Sequence, residues 1–184
     1  VFEPQTRTPD FYLGRALPST GSLVNATALV NDGEFRTDLV YTWRVNQIVV
    51  EEGPIRGRNQ VTFQTPRGDS TVVRVQVAEP NGNVVARRAV LMPSVRPELH
   101  FYEVSSLYGL DRRPIEDGAN MTGNSFTVRA EPYFLDSRVF NAPDVKEWSV
   151  NNRPAQNVGV NPYEVTLQRS GGSGNSNVSF HVRS

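Results

Sequence analysis

Residues 40–46 read VYTWRVN, and this stretch decides the fold that the sequence predicts. Tyr41, Trp43 and Val45 alternate with polar residues, which is the pattern of a β-strand with one buried face. The only other tryptophan, Trp148, lies in residues 147–151, which read EWSVN. Each tryptophan is followed by one polar residue, a valine and an asparagine. The shared motif predicts a domain that is repeated twice, with a tryptophan in each core.

Short alternating segments, separated by turn signals, surround both motifs. Residues 71–77 predict a strand that points Val73, Val75 and Val77 inward. Asn46-Gln47 predicts a tight hairpin, and residues 80–83, which read PNGN, predict another. No segment has the sustained period of a ten-residue helix. The predicted fold class is therefore all-β, with two tandem immunoglobulin-like (PKD-like) β-sandwich domains.

The domain boundaries follow from matching the two copies. Phe101-Tyr102 matches Phe11-Tyr12 at an offset of 90 residues, and Trp148 matches Trp43 at an offset of 105. The second copy is therefore expected to carry extra residues, largely within 105–123. We predict an extended lead-in from a possible upstream domain at 1–10, a first domain at 11–93, a Pro-flanked linker at 94–98 and a second domain at 99–184. The predicted structural core comprises Trp43, Trp148, Tyr41, Val45, Val150, Phe63, Leu167, Val75 and Phe180.

Composition restricts the functions that this chain can have. It has 19 Lys and Arg against 19 Asp and Glu, for a formal net charge of zero. This balance disfavours nucleic-acid binding, which normally needs a basic excess. Cysteine is absent, which excludes disulfides, thiolate catalysis and cysteine-ligated metals. No run approaches the roughly 20 apolar residues of a membrane span, so membrane attachment is expected only through segments outside this chain.

No arrangement of residues in the sequence predicts an active site. The two histidines, His100 and His181, lack a serine in a nucleophile elbow, and we predict that the protein is not an enzyme. No cofactor is predicted. Calcium is the one metal considered, because hard oxygen ligands often rigidify tandem extracellular sandwiches. The candidate ligands are Asp32, Glu34, Asp111, Glu116 and Asp117, although solvated turn residues are the favoured interpretation.

Paired aromatic residues have two interpretations. They could stack on sugars, or they could be edge-strand core and interdomain packing, which is the interpretation we favour. The residues concerned are Phe11-Tyr12, Phe101-Tyr102, Tyr108 and Tyr133-Phe134.

The motifs also carry a resemblance. Residues 41–46, followed by Phe63 and the 73–77 strand, resemble the Ig-like and PKD-like modules of bacterial surface proteins. Residues 8–19 (TPDFYLGRALPS), 93–98 (PSVRPE) and 101–109 resemble an uncharacterised family of tandem Ig-like proteins from Candidate Phyla Radiation (Patescibacteria) genomes. The resemblance covers nearly the whole chain. It implies an exported protein with a signal peptide and a further Ig-like domain ahead of the Phe-Tyr segment, and it implies no enzymatic activity.

We therefore expect a non-enzymatic, extracytoplasmic structural or adhesive module on a bacterial cell surface or secreted from the cell. It would present loops and edge strands to a protein partner or to copies of itself. The alternatives are a carbohydrate- or ligand-binding accessory module and the non-catalytic part of a larger hydrolase.

Overall fold

The protein is described by a computed structural model that covers residues 1–31, 36–51, 53–155, 159–171 and 173–183. Within these residues the chain is almost all β, with one short helix. No helix among them is long and apolar enough to cross a membrane. The chain forms two compact units, residues 1–6 with 15–96, and residues 7–14 with 97–184.

The first unit contains two antiparallel sheets. One sheet has the order β1-β3-β7, and the other has the order β5-β4-β8-β9 with β6 also paired to β4. The strands are β1 (Phe2–Pro4), β3 (Leu23–Thr27), β4 (Val40–Val45), β5 (Ile48–Val49), β6 (Ile55–Arg56), β7 (Gln60–Gln64), β8 (Ser70–Ala78) and β9 (Val84–Pro93). Both sheets contribute buried side chains to one core, which is consistent with a β-sandwich.

The second unit shares six strands of this plan, adds β11 and the pair β2–β13, and has no described strand that corresponds to β6 or β9. Its sheets have the orders β11-β10-β12-β16 and β15-β14-β17, and β2 (Thr6–Arg7) pairs with β13 (Leu135–Asp136). The remaining elements are β10 (Glu98–Ser105), β11 (Gly109–Pro114), β12 (Ser125–Tyr133), α1 (Ser137–Asn141), β14 (Val145–Val150), β15 (Arg153–Pro154), β16 (Glu164–Gln168) and β17 (Val178–Arg183). Strand β11 lies within the 105–123 stretch where the extra residues were expected.

The two tryptophans occupy equivalent positions in their units. Trp43 on β4 lies opposite Val75 on β8, and Trp148 on β14 lies opposite Phe180 on β17. Each indole Nε1 donates a hydrogen bond to a backbone carbonyl, Arg58 O at 3.0 Å for Trp43 and Pro162 O at 3.1 Å for Trp148. Both indoles are buried, so this bond satisfies a donor that would otherwise be left without water.

The asparagine of each motif forms the hairpin that follows the tryptophan strand. Asn46 and Gln47 have φ angles of 46° and 73°, and Asn151 and Asn152 have φ angles of 50° and 62°. Two left-handed residues are the geometry of a type I′ turn, which asparagine tolerates better than most residues. The strand partners Val45 and Ile48 directly flank the first pair, so the hairpin predicted at Asn46-Gln47 is confirmed.

Each of these asparagines also links its hairpin to a neighbouring strand. Asn46 N donates to Val72 O at 2.9 Å, and Val72 N donates to Asn46 Oδ1 at 2.9 Å. Asn151 makes the same pair of bonds with Asn177, both at 2.8 Å. The asparagine side chain therefore supplies the acceptor that a further strand residue would have supplied from its backbone.

Most of the predicted core residues lie inside. Tyr41, Trp43, Val45, Phe63, Trp148 and Phe180 are buried, while Val75 and Leu167 are half-buried against the cores. Val150 is half-buried and lies outside the buried cluster of its unit. Val150 is the last residue of β14 before the exposed hairpin residues, which explains its partial exposure.

The beginning of the chain differs from its prediction. Residues 1–10 were expected to be a lead-in, yet Phe2–Pro4 forms β1 and pairs with β3. Phe11-Tyr12 was expected to begin the first sheet, but Phe11 lies in a turn and the segment belongs to the second unit. The counterpart of Phe101 is Phe2, because each lies opposite a buried alanine of the next strand, Ala130 and Ala26 respectively.

The role of Asn46 is testable with two substitutions. Asn46→Gly keeps the left-handed backbone and removes the side-chain acceptor, so we expect a loss of about 0.5–1.5 kcal/mol of unfolding free energy. Asn46→Ala also forces a Cβ into the left-handed region, which adds roughly 1–2 kcal/mol. Equilibrium denaturation measures both values. The same order is expected at Asn151, and equal losses for glycine and alanine would contradict the turn geometry.

Candidate functional site

Strand β9 forms a free edge of the first unit. It is ten residues long, and nine of these residues are exposed. In the described part of the chain it pairs only with β8, so its other side carries unpaired backbone donors and acceptors. Val84, Val85, Val90 and Leu91 add exposed aliphatic surface, with Leu91 64% exposed. A long apolar edge of this kind is able to pair with another strand.

Arginines interrupt the apolar character of this edge. Arg87 and Arg88 stand at its centre and point to opposite faces, because successive side chains of a strand alternate. Arg74 on β8 lies directly opposite Arg44 on β4. Like charges in this position repel one another. No carboxylate of the described residues lies within ion-pair distance of these four guanidinium groups, so they form no ion pair within the described part of the unit.

The same arginines line a shallow depression of about 270 Å³ on the sheet. Thr42, Val75, Gln76 and Ala89 complete its wall. Arg87 Nε donates to Gln76 Oε1 at 3.0 Å, which orients that guanidinium along the sheet. The depression offers hydrogen-bond donors and positive charge, and it contains no aromatic ring for stacking.

A different surface lies in the second unit, where residues 7–14 pack on the sheet of β10 and β12. Phe11 meets Tyr102 edge to face at a centroid distance of 5.4 Å. Tyr12 meets Tyr133 at 5.6 Å and Phe134 at 5.7 Å, in the same T-shaped geometry. These contacts are favourable aromatic pairs, and they place the paired aromatics in packing within one unit.

The predicted aromatic residues thus separate into groups. Phe101 packs in the core against Trp148, at 5.7 Å between centroids. Tyr102 is buried on the other side of the sheet, and its hydroxyl hydrogen-bonds Tyr133 Oη at 2.7 Å. Burial raises the pKa of Tyr102 above its ordinary value, and the bond to Tyr133 adds to the shift. Tyr108 is 90% exposed and has no described aromatic neighbour.

A buried carboxylate lies beneath residues 7–14. Glu131 on β12 is only 7% exposed. Arg129 Nη1 lies 3.5 Å from Glu131 Oε1, and Arg7 Nη2 lies 4.0 Å from Glu131 Oε2. Burial raises the pKa of Glu131 above its ordinary value, although both arginines favour the charged form. Desolvation is therefore the larger effect, and the carboxylate is under-compensated.

The calcium candidates do not form one cluster in the described residues. Asp32 and Glu34 lie outside the residues that the structure describes. Asp111 forms an ion pair with Arg113, Nη2 to Oδ2 at 2.9 Å, and this partner lowers the pKa of Asp111. Glu116 and Asp117 are on the exposed stretch after β11. Among the described residues, no three His, Cys, Asp or Glu side chains come together as a metal site.

The two histidines also lie in different settings. His100 Nε2 is 3.2 Å from Glu98 Oε2, and its ring meets Tyr133 edge to face at 5.0 Å. His181 lies at the wall of an open cavity of about 330 Å³ in the second unit, with Leu99, Phe180 and Val182 as apolar neighbours. Neither histidine has a serine among its described hydrogen-bond partners, so the structure brings together no nucleophile and base at these positions.

Comparison with protein-family models, with curated proteins and with solved structures found no match to this chain. Any functional conclusion therefore depends on the surfaces described above.

The exposed edge of β9 and the burial of Glu131 were not predicted from the sequence. Residues 84–91, VVARRAVL, follow the hairpin predicted at residues 80–83, but they were not predicted to form an exposed edge. The signal for exposure was present, since two adjacent arginines cannot both face a core. The burial of Glu131 had no comparable signal, because it depends on a segment more than 100 residues away in the sequence.

The raised pKa of Glu131 gives a testable pH dependence. A carboxyl whose folded pKa lies above its unfolded value binds protons more tightly when folded, so its contribution to stability is largest in acid and is lost as pH rises through the folded pKa. We expect Glu131→Gln to remove this loss, so that the change in unfolding free energy from about pH 4 to pH 7 is more positive in the variant than in the wild type. Denaturant titrations at several pH values measure the slope.

The control for this experiment is Glu103→Gln, an exposed glutamate on β10 of the same sheet. This variant should retain the wild-type slope. An unchanged slope in Glu131→Gln would show that the buried carboxylate does not oppose folding at neutral pH.

Proposed function

We propose that this protein is a structural or adhesive module of a bacterial cell surface, built from two tandem Ig-like units, that binds a partner through the free edge of β9. The observation that carries this proposal is the length and exposure of that edge, nine exposed residues of ten. Edge strands are normally short or blocked, because unpaired backbone groups attract other chains. A long accessible edge instead suits strand addition, in which backbone hydrogen bonds hold a partner and alternate side chains select it.

The charges beside the edge restrict the partner. If two copies of β9 paired antiparallel in the register centred between Arg87 and Arg88, Arg87 of one would lie opposite Arg88 of the other. Opposed like charges destabilise such a pair, so self-pairing in that register is disfavoured. Arg44 and Arg74 extend the positive character across the neighbouring strands. The complementary partner is an extended, apolar protein segment with carboxylates at its centre.

The two-unit plan supports a presenting role for the protein. In each unit a buried tryptophan and a two-residue hairpin fix the sheet that carries the tryptophan, which makes each unit a rigid support. The surfaces that remain for binding are edges and loops, as in other modules that act by presentation. The proposed surface location follows from the resemblance to tandem Ig-like proteins of bacterial surfaces.

A designed peptide tests the edge directly. The peptide VVAEEAVL has the sequence of residues 84–91 with both arginines replaced by glutamate, so that in the antiparallel register centred between Arg87 and Arg88 each glutamate faces an arginine. We expect it to bind the protein in fluorescence anisotropy, and we expect Leu91→Lys on β9 to weaken binding about tenfold or more by placing a charge on the apolar edge. Raising the salt concentration should also weaken binding.

The controls are a second peptide and a second variant. The unmodified peptide VVARRAVL should bind far more weakly, because its arginines face those of β9. Leu107→Lys makes the same chemical change at an 82% exposed position in the second unit, and it should leave binding unchanged. Equal binding of the two peptides would overturn the proposed charge selection, and equal loss in both lysine variants would remove β9 as the site.

The cellular location is tested by fractionation of the producing cells, with the protein detected by antibody. We expect the protein in the envelope or in the medium, and we expect protease added to intact cells to digest it. Recovery of protected protein with cytosolic markers would overturn the proposed surface function, whatever the peptide experiment shows.

A further inference from the structure

Residues 7–14 belong to the second unit, although the residues on both sides of them belong to the first. Val1–Thr6 and the chain from Arg15 onward are part of the first unit, while Arg7–Gly14 groups with residues 97–184. We call Arg7–Gly14 the docking segment. The second unit therefore takes part of its surface from a distant part of the sequence.

Side chains hold most of the docking segment in place. Phe11 packs on Tyr102, and Tyr12 packs between Tyr133 and Phe134. Arg7 lies over the Phe140 ring, with its Cζ 5.2 Å from the centroid. Tyr12 also folds back over Gly14, where a Cβ would collide with the tyrosine ring. The glycine therefore permits the conformation that presents Tyr12 to the second unit.

Backbone pairing holds only the start of this segment. Arg7 belongs to β2, which pairs with β13, whereas residues 8–14 contain no strand, and Tyr12 N to Pro9 O, at 2.9 Å, is a turn within the segment itself. Arg7 Nε is buried without a hydrogen-bond partner, and the Arg7–Glu131 pair is at 4.0 Å. A region with few backbone bonds and imperfect polar contacts belongs to the less stable part of a structure, which opens more readily than the core.

The main connection between the units is short. Ser94 N donates to Asp69 O and Val95 N donates to Pro18 O, both at 2.9 Å, so the chain is held to the first unit up to Val95. Strand β10 of the second unit begins at Glu98. This leaves Arg96 and Pro97 as the connection. Short connections between packed elements favour the exchange of an element between copies, because a strained hinge is relieved when the element packs on another copy.

We propose that the docking segment is exchanged between two copies of this chain, so that Arg7–Gly14 of one copy packs on Tyr102, Tyr133 and Phe134 of another. The exchange does not use the β9 edge and does not depend on the peptide partner proposed for it. Each exchanged copy keeps the first unit's residues together and uses Arg96–Pro97 as the hinge. On a surface that carries many copies, successive exchange links the modules into chains.

The balance between closed and exchanged forms depends on concentration. Both forms contain the same contacts outside the hinge, so those contacts cancel in the comparison. In the closed form the segment is tethered next to its own site, with an effective concentration of the order of 1 mM for a short connection. Exchange in the wild type is therefore expected only near that concentration, whereas removing the competing segment should bring it within the range of ordinary binding experiments.

Complementation between two full-length variants tests the proposal. The acceptor variant carries Phe11→Ala with Tyr12→Ala, which leaves its site without its own segment. The donor variant carries Tyr133→Ala with Phe134→Gly, and the glycine keeps the positive φ of 59° at that position. We expect each variant alone to sediment as a monomer, and we expect the mixture to form a complex of about twice the mass. A fluorophore on one variant allows its binding to be measured as the other variant is added up to saturation.

The control replaces the donor with a chain that carries all four substitutions and so has no intact segment. Thermal melts of each variant establish that it is folded. Formation of the complex only in the mixture of acceptor and donor supports exchange. A mixture of folded variants that stays monomeric at every concentration overturns it, and so does a complex that also forms with the fourfold variant.

The hinge provides a second test that leaves all the packed residues intact. Deleting Arg96 shortens the connection and should shift the wild-type chain from monomers to dimers or longer assemblies. Inserting Gly-Gly-Ser after Arg96 should keep it monomeric, because a longer connection allows the closed form without strain. If the deletion leaves a folded chain monomeric up to about 1 mM, the proposal fails.

Discussion

Each unit depends on how one tryptophan strand is fixed between its neighbours. The indole of Trp43 fills the space between two sheets and donates its only hydrogen bond to the carbonyl of Arg58. Three residues later, Asn46 reverses the chain and bonds the next strand with both its backbone and its side chain. The tryptophan determines the separation of the sheets, and the asparagine determines the register of the hairpin. Trp148 and Asn151 make the same set of bonds in the second unit.

This pairing of roles explains why so much of the fold could be predicted from the sequence. Alternation over residues 71–77 identified the strand opposite Trp43, and Asn46-Gln47 identified the hairpin, because both signals are local. Val75 and Phe180, which were both among the predicted core residues, lie opposite the two tryptophans. A side-chain period and a turn residue are properties of a few adjacent residues, so one sequence is enough to recognise them.

The position of the docking segment could not be predicted from local sequence patterns. Phe11-Tyr12-Leu13 has the composition of a strand, and Phe101-Tyr102 supplied an attractive match, but the period of a three-residue run cannot be measured. What decides its structure is the surface on which Phe11 packs, formed by Tyr102 about 90 residues away in the sequence. The burial of Glu131 follows from the same long-range contact and was equally hidden. The exposure of β9 was more accessible, because adjacent Arg87 and Arg88 point to both faces of one strand.

The two units share the tryptophan strand and its hairpin, but they differ in how a sheet surface is exposed: one surface of the second unit is covered, and one edge of the first unit is free. In the second unit the docking segment lies over Tyr102 and Glu131, and the cost of that cover is a carboxylate whose pKa is raised by burial. In the first unit β9 keeps its edge free, and Arg87 and Arg88 limit which strands can pair with it. An apolar edge without those charges would offer no selection among strands, and a fully compensated cover would favour the closed form more strongly. The two associations that we propose therefore both depend on incomplete compensation, at the edge of β9 and beneath the docking segment.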